Sequence, residues 1–223
     1  RFGMSEKPKD LDRQLVLLMT GAGIDRVIDV GANRGQYARR LRVAGWAGPI
    51  LSFEPDPRVH EALLRAAAGD PAWQVAASMA LGAVRGRAVL EISAEDDMSS
   101  LRAQTEALAR LSPSSAVVER LEVPLARLDE VLRAEPGERL LVKLDVQGSE
   151  DAVLDGMAGL WPRVRALQLE LALSVLYAGE RRYLETCQRL EGLGYRLALV
   201  LPGYFDGKAK RQLQFDGVFL KAG

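Results

Sequence analysis

The sequence predicts a single doubly wound α/β domain with a mostly parallel sheet and an antiparallel strand at its C-terminal end. Short apolar runs typical of buried strands alternate with amphipathic segments of helical spacing along the chain. The run "VIDVGANRGQYA" at 27–38 reads as a strand, a glycine-containing turn and a helix start. The last two strand-like runs are joined by "GYFDGKAK", which leaves no room for a crossover helix. A connection that short requires an antiparallel pair.

Composition indicates one globular domain over residues 1–223, without internal repeats or linkers. The chain is 48% hydrophobic and 27% charged, which is enough apolar content for a sizeable core. Basic and acidic residues balance at 30 each, so no overall attraction for nucleic acid or anionic membranes is expected. Cys187 is the single cysteine. No apolar run approaches the roughly 20 residues of a membrane span, and no signal peptide is visible. We therefore expect a soluble, cytoplasmic protein.

The first third of the chain alternates helix and strand. An N-terminal helical segment (1–22) has apolar residues at helical spacing and is followed by a strand at 27–30 and the amphipathic helix "QYARRLRVAG". "PILSFEP" (49–55) predicts a second strand. Asp56 is the expected N-cap of the next helix, with Pro57 in its first turn. "AWQVAASMAL" predicts a third strand, and "AVRGRAVLEIS" predicts a hairpin turning near Gly86.

The rest of the chain begins with a polar, serine-rich stretch at 94–116, whose length predicts a mobile lid. "VERLEVPL" is expected to be extended and "ARLDEVLRA" helical. "RLLVKLDV" and "VRALQLEL" predict buried strands, each followed by a helix, in "SEDAVLDGMAGL" and "GERRYLETCQRLEGLG". "YRLALVLP" and "RQLQFDGVFLKA" form the final antiparallel pair.

Polar residues follow four of the predicted strands. They are residues 29–35, Glu54, Asp145 with Gln147, and Glu170. In an open parallel sheet, ligands bind beyond the carboxyl ends of the strands. A buried carboxylate without a partner is costly. Four such positions together therefore predict a ligand site at this edge.

The glycine turn indicates which ligand is bound. Gly31 and Gly35 allow the backbone to turn tightly and to approach a ligand. The turn reads D-x-G-x-x-x-G and lacks the middle glycine that admits a pyrophosphate. Glu54 lies 19 residues after Gly35, near the spacing of an acid that accepts ribose hydroxyls, and Asp29 would attract a sulfonium or ammonium group. A ribose and a cation without phosphate describe S-adenosylmethionine; the alternative is that the glycines simply pack helix on strand.

Five blocks carry a resemblance to a known family: "IDVGANRGQYA", "LSFEPDP", "VKLDVQGSEDAVLDGM", "LQLELALSVLYAGE" and "LQFDGVFLK". In this order, over about residues 10–221, they resemble the FkbM-type methyltransferases. That class I, Rossmann-like family uses S-adenosylmethionine, mostly for O-methylation of natural products, sugars and glycolipids. One departure is "QGSE", where Ser149 replaces a larger aromatic residue, which bears on the shape of the acceptor pocket.

The resemblance implies that Asp29 and the glycine turn hold the methionine portion, Glu54 the ribose, and Ser78 with its neighbours the adenine. The full predicted cofactor set is Asp29, Gly31, Asn33, Gly35, Tyr37, Glu54, Pro55, Ser78, Asp145 and Gln147.

Asp145 and Glu170 are the candidate general bases, and Lys143 is the candidate polariser of the acceptor oxygen. Each has an alternative. Lys143 could form a buried ion pair with Asp145 or Glu170, and Asp145 could serve only the ammonium group of the cofactor. Mg²⁺ is an optional second cofactor that would bridge the acceptor hydroxyl to Asp145 and Glu170. His60 is expected to lie at the surface or to pack, and no His/Cys cluster suits zinc.

Three segments are expected to line the acceptor pocket. The predicted residues are Met98, Ser99, Ser100, Leu176, Tyr177, Tyr204 and Phe205. For Tyr177, packing against the following helix is an equal alternative. Residues 95–97 ("EDD") are predicted to be a solvated loop. The basic run "GKAKR" is a solvated turn or meets a phosphate-bearing or carrier-bound substrate.

The expected acceptor is a hydroxylated small molecule. Two other functional classes stay open: a nicotinamide-dependent oxidoreductase, against which the glycine pattern argues, and a non-catalytic binding module. Nucleic-acid methylation is disfavoured by the balanced charge and by the absence of an N-P-P-Y-type tetrapeptide.

Overall fold

The computed structural model describes residues 10–94, 98–112, 115–208 and 210–222. The helices are α1 (Asp10–Gly21), α2 (Gln36–Ala44), α3 (Pro57–Ala67), α4 (Glu106–Leu111), α5 (Leu128–Val131), α6 (Glu150–Asp155) and α7 (Tyr183–Gly192). The strands are β1 (Arg26–Val30), β2 (Ile50–Phe53), β3 (Trp73–Val75), β4 (Ala80–Leu81), β5 (Gly86–Ser93), β6 (Val117–Ala126), β7 (Leu140–Leu144), β8 (Val164–Ala172), β9 (Tyr195–Pro202), β10 (Phe205–Asp206), β11 (Arg211–Gln212) and β12 (Gln214–Lys221). A 3-10 turn covers Ala158–Leu160.

The central sheet has seven strands in the order β3-β2-β1-β7-β8-β12-β9. Strands β3 to β8 in this order pair in parallel, whereas β12 is antiparallel to both β8 and β9. The final pair is therefore antiparallel, as the short connection predicts. A second sheet, β4-β6-β5, and the pair β10-β11 complete the strands described. The predicted doubly wound α/β fold class is confirmed.

The central sheet separates two apolar cores, because successive residues of a strand point to opposite faces. Val27 belongs to the core beneath α1, α2 and α3, and its neighbour Ile28 belongs to the core beneath α5, α6 and α7. In β7, Leu141 and Val142 divide in the same way. A parallel sheet covered on both faces requires nearly continuous apolar strands. This explains why β1, β7 and β8 are mostly apolar on both faces.

Two strand predictions were wrong. "AWQVAASMAL" does not form one strand, since Trp73–Val75 joins the central sheet while Ala80–Leu81 joins the second sheet. The hairpin predicted near Gly86 does not form either. Strand β5 pairs antiparallel with the distant β6, and β4 pairs with the other edge of β6 in parallel. This arrangement packs Leu90 and Ile92 of β5 against Val123 of β6, a burial that no local turn provides.

Helix boundaries agree with the sequence at some ends and are shorter at others. Asp56 caps α3, with its Oδ1 accepting from the Arg58 amide at 2.9 Å. Helices α5 and α6 are shorter than the segments that predicted them. The stretch 94–116 includes α4, capped by Thr105, and its predicted mobility stays a prediction. Residues 95–97, predicted to be a solvated loop, lie outside the described residues.

Within the described part of the chain, no helix is long and apolar enough to cross a bilayer.

Candidate active site

A cavity of about 660 Å³ lies at the carboxyl ends of β1, β2 and β7, between the central sheet and the second sheet. It brings together six of the predicted cofactor residues: Gly31, Asn33, Glu54, Pro55, Asp145 and Gln147. Ser99 and Ser100, predicted to contact the acceptor, also line it. The cavity therefore forms at the sheet edge where the sequence predicted a ligand site.

The other predicted site residues do not line this cavity. They are Asp29, Gly35, Tyr37, Ser78, Met98, Lys143, Glu170, Leu176, Tyr177, Tyr204 and Phe205. Ser78 lies next to the lining residues Met79 and Ala80, and its Oγ donates to the Pro55 carbonyl at 2.9 Å. Lys143 and Glu170 contact the lining residues Asp145 and Gln147 from the side away from the cavity.

Gly31 is required by the neighbouring strand. Its φ is +73°, and an added Cβ would lie 1.8 Å from the backbone oxygen of Asp145. The Gly31 and Ala32 amides donate to the Phe53 carbonyl at 3.1 and 3.0 Å. The turn after β1 is thus held between the ends of β7 and β2, which places the backbone of Asn33 on the cavity wall.

Gly35 serves packing. A Cβ on Gly35 would lie 2.5 Å from the Trp73 ring, and Gly35 does not line the cavity. The alternative of helix packing on the sheet therefore fits Gly35, and its predicted contact with a ligand stays a prediction.

We expect Gly35→Ala to lower the free energy of unfolding by about 3 kcal/mol, because it adds both a steric clash and left-handed strain. Gly45→Ala is the matched control, since Gly45 is also left-handed, at φ +102°, but nothing lies within 4 Å of the point that a methyl group there would occupy. Urea unfolding of both variants checks this. Equal losses would show that the Trp73 contact contributes nothing.

Glu54 presents a carboxylate on the cavity wall that is held by backbone amides. Its Oε2 accepts from the Asn33 amide and its Oε1 from the Asp56 amide, both at 2.9 Å. Burial raises the pKa of Glu54 to about 7, although the two backbone donors lower it. A carboxylate has about four lone-pair sites, so two stay available for ligand hydroxyls.

Lys143 lies beneath the glycine turn and pairs with two carboxylates. Its Nζ is 3.1 Å from Asp29 Oδ1 and 3.5 Å from Asp145 Oδ2, and it donates to the Gly31 carbonyl at 2.9 Å. Both Lys143 and Asp29 are buried. The structure therefore agrees with the ion-pair alternative for Lys143, with Asp29 and Asp145 as partners in place of Glu170. The Asp29 side chain is enclosed, and its predicted contact with a ligand stays a prediction.

The ionisation of this pair follows from burial and charge. Burial lowers the pKa of Lys143, but the carboxylates of Asp29 and Asp145 outweigh it and hold the pKa above its ordinary value. Burial raises the pKa of Asp29, and the Lys143 ammonium opposes that shift. Lys143 is therefore charged at neutral pH and is occupied by protein groups, which leaves it unsuited to polarise an acceptor oxygen.

Asp145 and Glu170 share the side-chain amide of Gln147. Gln147 Nε2 is 2.8 Å from Asp145 Oδ1 and 3.5 Å from Glu170 Oε2. The Asp145 side chain is 42% exposed, whereas Glu170 lies behind the wall, where it also accepts from Gln214 Nε2 at 2.8 Å. Burial, followed by the charge of Asp145, raises the pKa of Glu170 well above its ordinary value. Of Asp145 and Glu170, it is thus Asp145 whose carboxylate faces the cavity.

A magnesium site at this point has no structural support. Among the residues that the structure describes, no group of three or more His, Cys, Asp or Glu side chains is placed to hold a metal ion. The Gln147 amide lies between Asp145 and Glu170, where a bridging cation would have to sit.

Four of the side chains predicted to contact the acceptor pack with one another: Met98, Leu176, Tyr177 and Tyr204. Tyr177 is 1% exposed and belongs to a cluster with Leu108, Leu176 and Leu213, against which Met98 and Tyr204 pack. Phe205 is exposed on β10. His60 contacts the Ala76 carbonyl through Nε2 at 2.6 Å, in accordance with its expected packing role. Tyr177 is therefore packed, as the alternative supposed, but against α4 and not against the helix that follows it.

Tyr37 belongs to a buried polar chain that the sequence did not reveal. Its hydroxyl donates to Gln168 Oε1 at 2.8 Å, and Gln168 Nε2 donates to Asp216 Oδ2 at 2.9 Å. Tyr37 thus supports the sheet behind the cavity and makes no contact with it. Gln168, flanked by leucines in the strand "VRALQLEL", was the available signal.

The apolar wall of the cavity was also missed. It is formed by Val30, Phe53, Met79, Leu81, Leu90 and Leu101. Leu81 and Leu90 come from the second sheet, whose pairing the sequence did not predict. A flat aromatic ring suits such a wall, while Glu54 and Asp145 offer acceptors for hydroxyl and cationic groups. These residues fit S-adenosylmethionine.

Solved structures share the fold at low sequence identity. Magnesium protoporphyrin IX methyltransferase from Synechocystis, with bound SAM, has a TM-score of 0.50 at 12% identity, over 95% of this chain and 78% of that one. An rRNA methylase from Streptococcus thermophilus has a TM-score of 0.50 at 10% identity, over 99% and 100%. Mitomycin 7-O-methyltransferase has a TM-score of 0.50 at 14% identity, over 95% of this chain and 53% of that one.

Sequence comparison assigns the family. No curated protein has significant similarity to the chain. The family model described as the methyltransferase FkbM domain matches residues 29–197, which run from Asp29, before the glycine turn, into β9. The chain belongs to the FkbM family of S-adenosylmethionine-dependent methyltransferases.

Proposed function

We propose that the protein transfers a methyl group from S-adenosylmethionine to a hydroxyl oxygen of a small molecule, such as a natural product, a sugar or a glycolipid. The observation that carries the proposal is the Asp145 carboxylate, which lines the cavity with 42% of its side chain exposed. A positioned carboxylate can accept the proton that an attacking hydroxyl loses. O-methylation needs this step.

S-adenosylmethionine supplies a methyl group on a positively charged sulfur. Glu54 and the Asn33 backbone would hold its ribose side, and the apolar wall its adenine. Asp145 would accept the hydroxyl proton, while Lys143 keeps that carboxylate in place from behind. Much of the acceleration would come from holding the acceptor oxygen in line with the methyl carbon.

Two features support a small acceptor. The cavity has an apolar wall and a few convergent polar groups, as is typical of small-molecule sites. Basic and acidic residues are equal in number, at 30 each, so the chain carries no overall charge that would attract nucleic acid. A carrier-bound acceptor and a cytoplasmic location stay predictions.

Glu54 provides the test of the cofactor site. We expect S-adenosylhomocysteine to bind at least tenfold more weakly to Glu54→Ala, a loss of about 1.4 kcal/mol. Wild-type affinity should fall as the pH is lowered through about 7, because protonation of Glu54 removes a charged acceptor for the ribose hydroxyls. Calorimetric titration between pH 6 and pH 8 measures both effects.

Glu54→Gln is the matched control, because it keeps the side-chain shape and one acceptor oxygen but does not titrate. Its affinity should lie between those of the wild type and Glu54→Ala and should not vary over this pH range. Wild-type binding that is independent of pH, or undiminished in Glu54→Ala, would contradict the ribose assignment.

The acceptor class is tested by methyl transfer from radiolabelled S-adenosylmethionine to a panel of hydroxylated sugars, glycolipids and polyketides, with an RNA sample as comparison. We expect label in a hydroxyl-bearing small molecule, with the same rate in EDTA and in magnesium. Label in RNA alone would overturn the proposed acceptor class and leave the family assignment standing.

A further inference from the structure

The cavity residue Gln147 has an unusual backbone. Its φ is +52°, and the next residue, Gly148, has φ +88°. A residue with a Cβ seldom adopts the left-handed region, so surrounding contacts must maintain it. One such contact is Ser100 Oγ, which donates to the Gln147 carbonyl at 2.6 Å. Backbone strain that neighbouring residues maintain often marks a functional position.

Gly148 brings Tyr177 against this turn. A Cβ on Gly148 would lie 2.6 Å from the Tyr177 Cβ, so glycine permits the close approach. Tyr177 is 1% exposed, and its hydroxyl lies 2.6 Å from Gln147 Oε1. The Tyr177 ring belongs to the core, but its hydroxyl reaches the cavity wall through Gln147.

The hydrogen-bonding capacity of each group determines the orientation of the amide. Carboxylates only accept, so the Gln147 NH₂ group must face Asp145 and Glu170, at 2.8 and 3.5 Å. The Gln147 oxygen then faces Tyr177, whose hydroxyl donates to it. Burial raises the pKa of Tyr177 above its ordinary value, so this hydroxyl keeps its proton at neutral pH.

We propose that Tyr177 and Gln147 form a positioning pair, in which Tyr177 orients the Gln147 amide and the amide holds the Asp145 carboxylate aimed into the cavity. The inference rests on the proposed role of Asp145 as the base. Tyr177 acts through Gln147 and touches neither acceptor nor cofactor.

Other charged groups surround Asp145 and set the background for this effect. They are Lys143 on its own strand, Asp29 on β1, Glu170 on β8, Asp216 on β12 and Glu150 on α6. Four of these are carboxyl groups, and Lys143 is the one cation among them. The Gln147 amide donates to Asp145 Oδ1, whereas Lys143 lies nearest to Asp145 Oδ2. Loss of the amide should therefore leave the Asp145 carboxylate held on one side only.

The test determines the positions of the two side chains directly, by crystal structures of the variants at one pH. In Gln147→Ala we expect the Asp145 carboxylate to leave its place at the cavity wall. In Tyr177→Phe we expect the Gln147 amide to rotate and the carboxylate to move by a smaller amount. In the Gln147→Ala background, Tyr177→Phe should add no further movement of Asp145, because Tyr177 acts through the amide.

Tyr183→Phe is the matched control, since it removes a phenol hydroxyl from α7, where the ring packs against Phe215 at 6.0 Å. It should leave the Gln147 amide and the Asp145 carboxylate in place. An unmoved carboxylate in Gln147→Ala, or an undiminished effect of Tyr177→Phe in the double variant, would overturn the proposal. Should Tyr177→Phe fail to fold, the structure of Gln147→Met decides, since it keeps the side-chain length without the amide.

This comparison of structures needs no acceptor. An Asp145 carboxylate that stays in place therefore counts against the positioning pair alone, whereas a failed acceptor screen counts against the proposed function. After an acceptor is found, Tyr177→Phe should lower kcat with little change in KM.

Discussion

Asp145→Asn is expected to lower kcat for hydroxyl methylation at least 100-fold. Asparagine keeps the size of the side chain and can still accept from Gln147 Nε2, but it cannot take up the hydroxyl proton. Removal of a positioned general base typically costs about 10²- to 10⁴-fold in rate. Steady-state kinetics with the acceptor from the screen measures the loss.

Glu170→Gln is the control for this substitution, because Glu170 shares the Gln147 amide but does not line the cavity. It should cost less than tenfold in kcat, and S-adenosylhomocysteine should bind both variants. A large loss in Glu170→Gln with a small one in Asp145→Asn would exchange the roles of the two carboxyl groups.

Lys143→Met should lower the free energy of unfolding by about 4 kcal/mol at pH 8. Lys143 and Asp29 are both buried, and removal of one partner leaves the other as an uncompensated charge in the interior. The Gly31 carbonyl and Asp145 also lose a partner. Urea unfolding measures the loss. The double variant Asp29→Asn/Lys143→Met should recover at least half of it, because no buried charge remains.

The pH dependence of Lys143→Met has a definite sign. The pKa of Asp29 is already raised by burial, and loss of the ammonium raises it further. A carboxyl whose pKa is higher in the folded than in the unfolded state stabilises the fold below its unfolded pKa, and this stability is lost as the pH rises through the folded pKa. The destabilisation should therefore be smaller at pH 5 than at pH 8. Equal losses at the two pH values would contradict the buried-charge explanation.

The sequence predicted the features that depend on local patterns. Apolar runs placed β1, β2, β7 and β8, the short connection predicted the antiparallel final pair, and Asp56 was recognised as a helix cap. Because the carboxyl ends of parallel strands meet at one edge, Glu54 and Asp145 could be predicted to share a site from chain order alone. The family blocks were recognised in the same linear order.

The pairing of the second sheet could not be predicted in this way. Strand β5 reads equally well as half of a local hairpin or as a partner of a distant strand, since period-2 alternation does not specify the partner. The apolar wall of the cavity depends on that pairing, so Leu81 and Leu90 were missed.

The roles of individual polar residues likewise required the three-dimensional structure. The motif shows that Asp29, Gly35 and Lys143 stand near the turn, but direction and burial decide what each one contacts. Lys143 turned out to pair with Asp29, and Gly35 to pack on Trp73. The order and direction of the strands thus predict the fold and the sheet edge at which the cavity lies. The motif blocks identify the family. Only packing decides which carboxylate faces the cavity, because enclosure and partners depend on residues far apart in the chain.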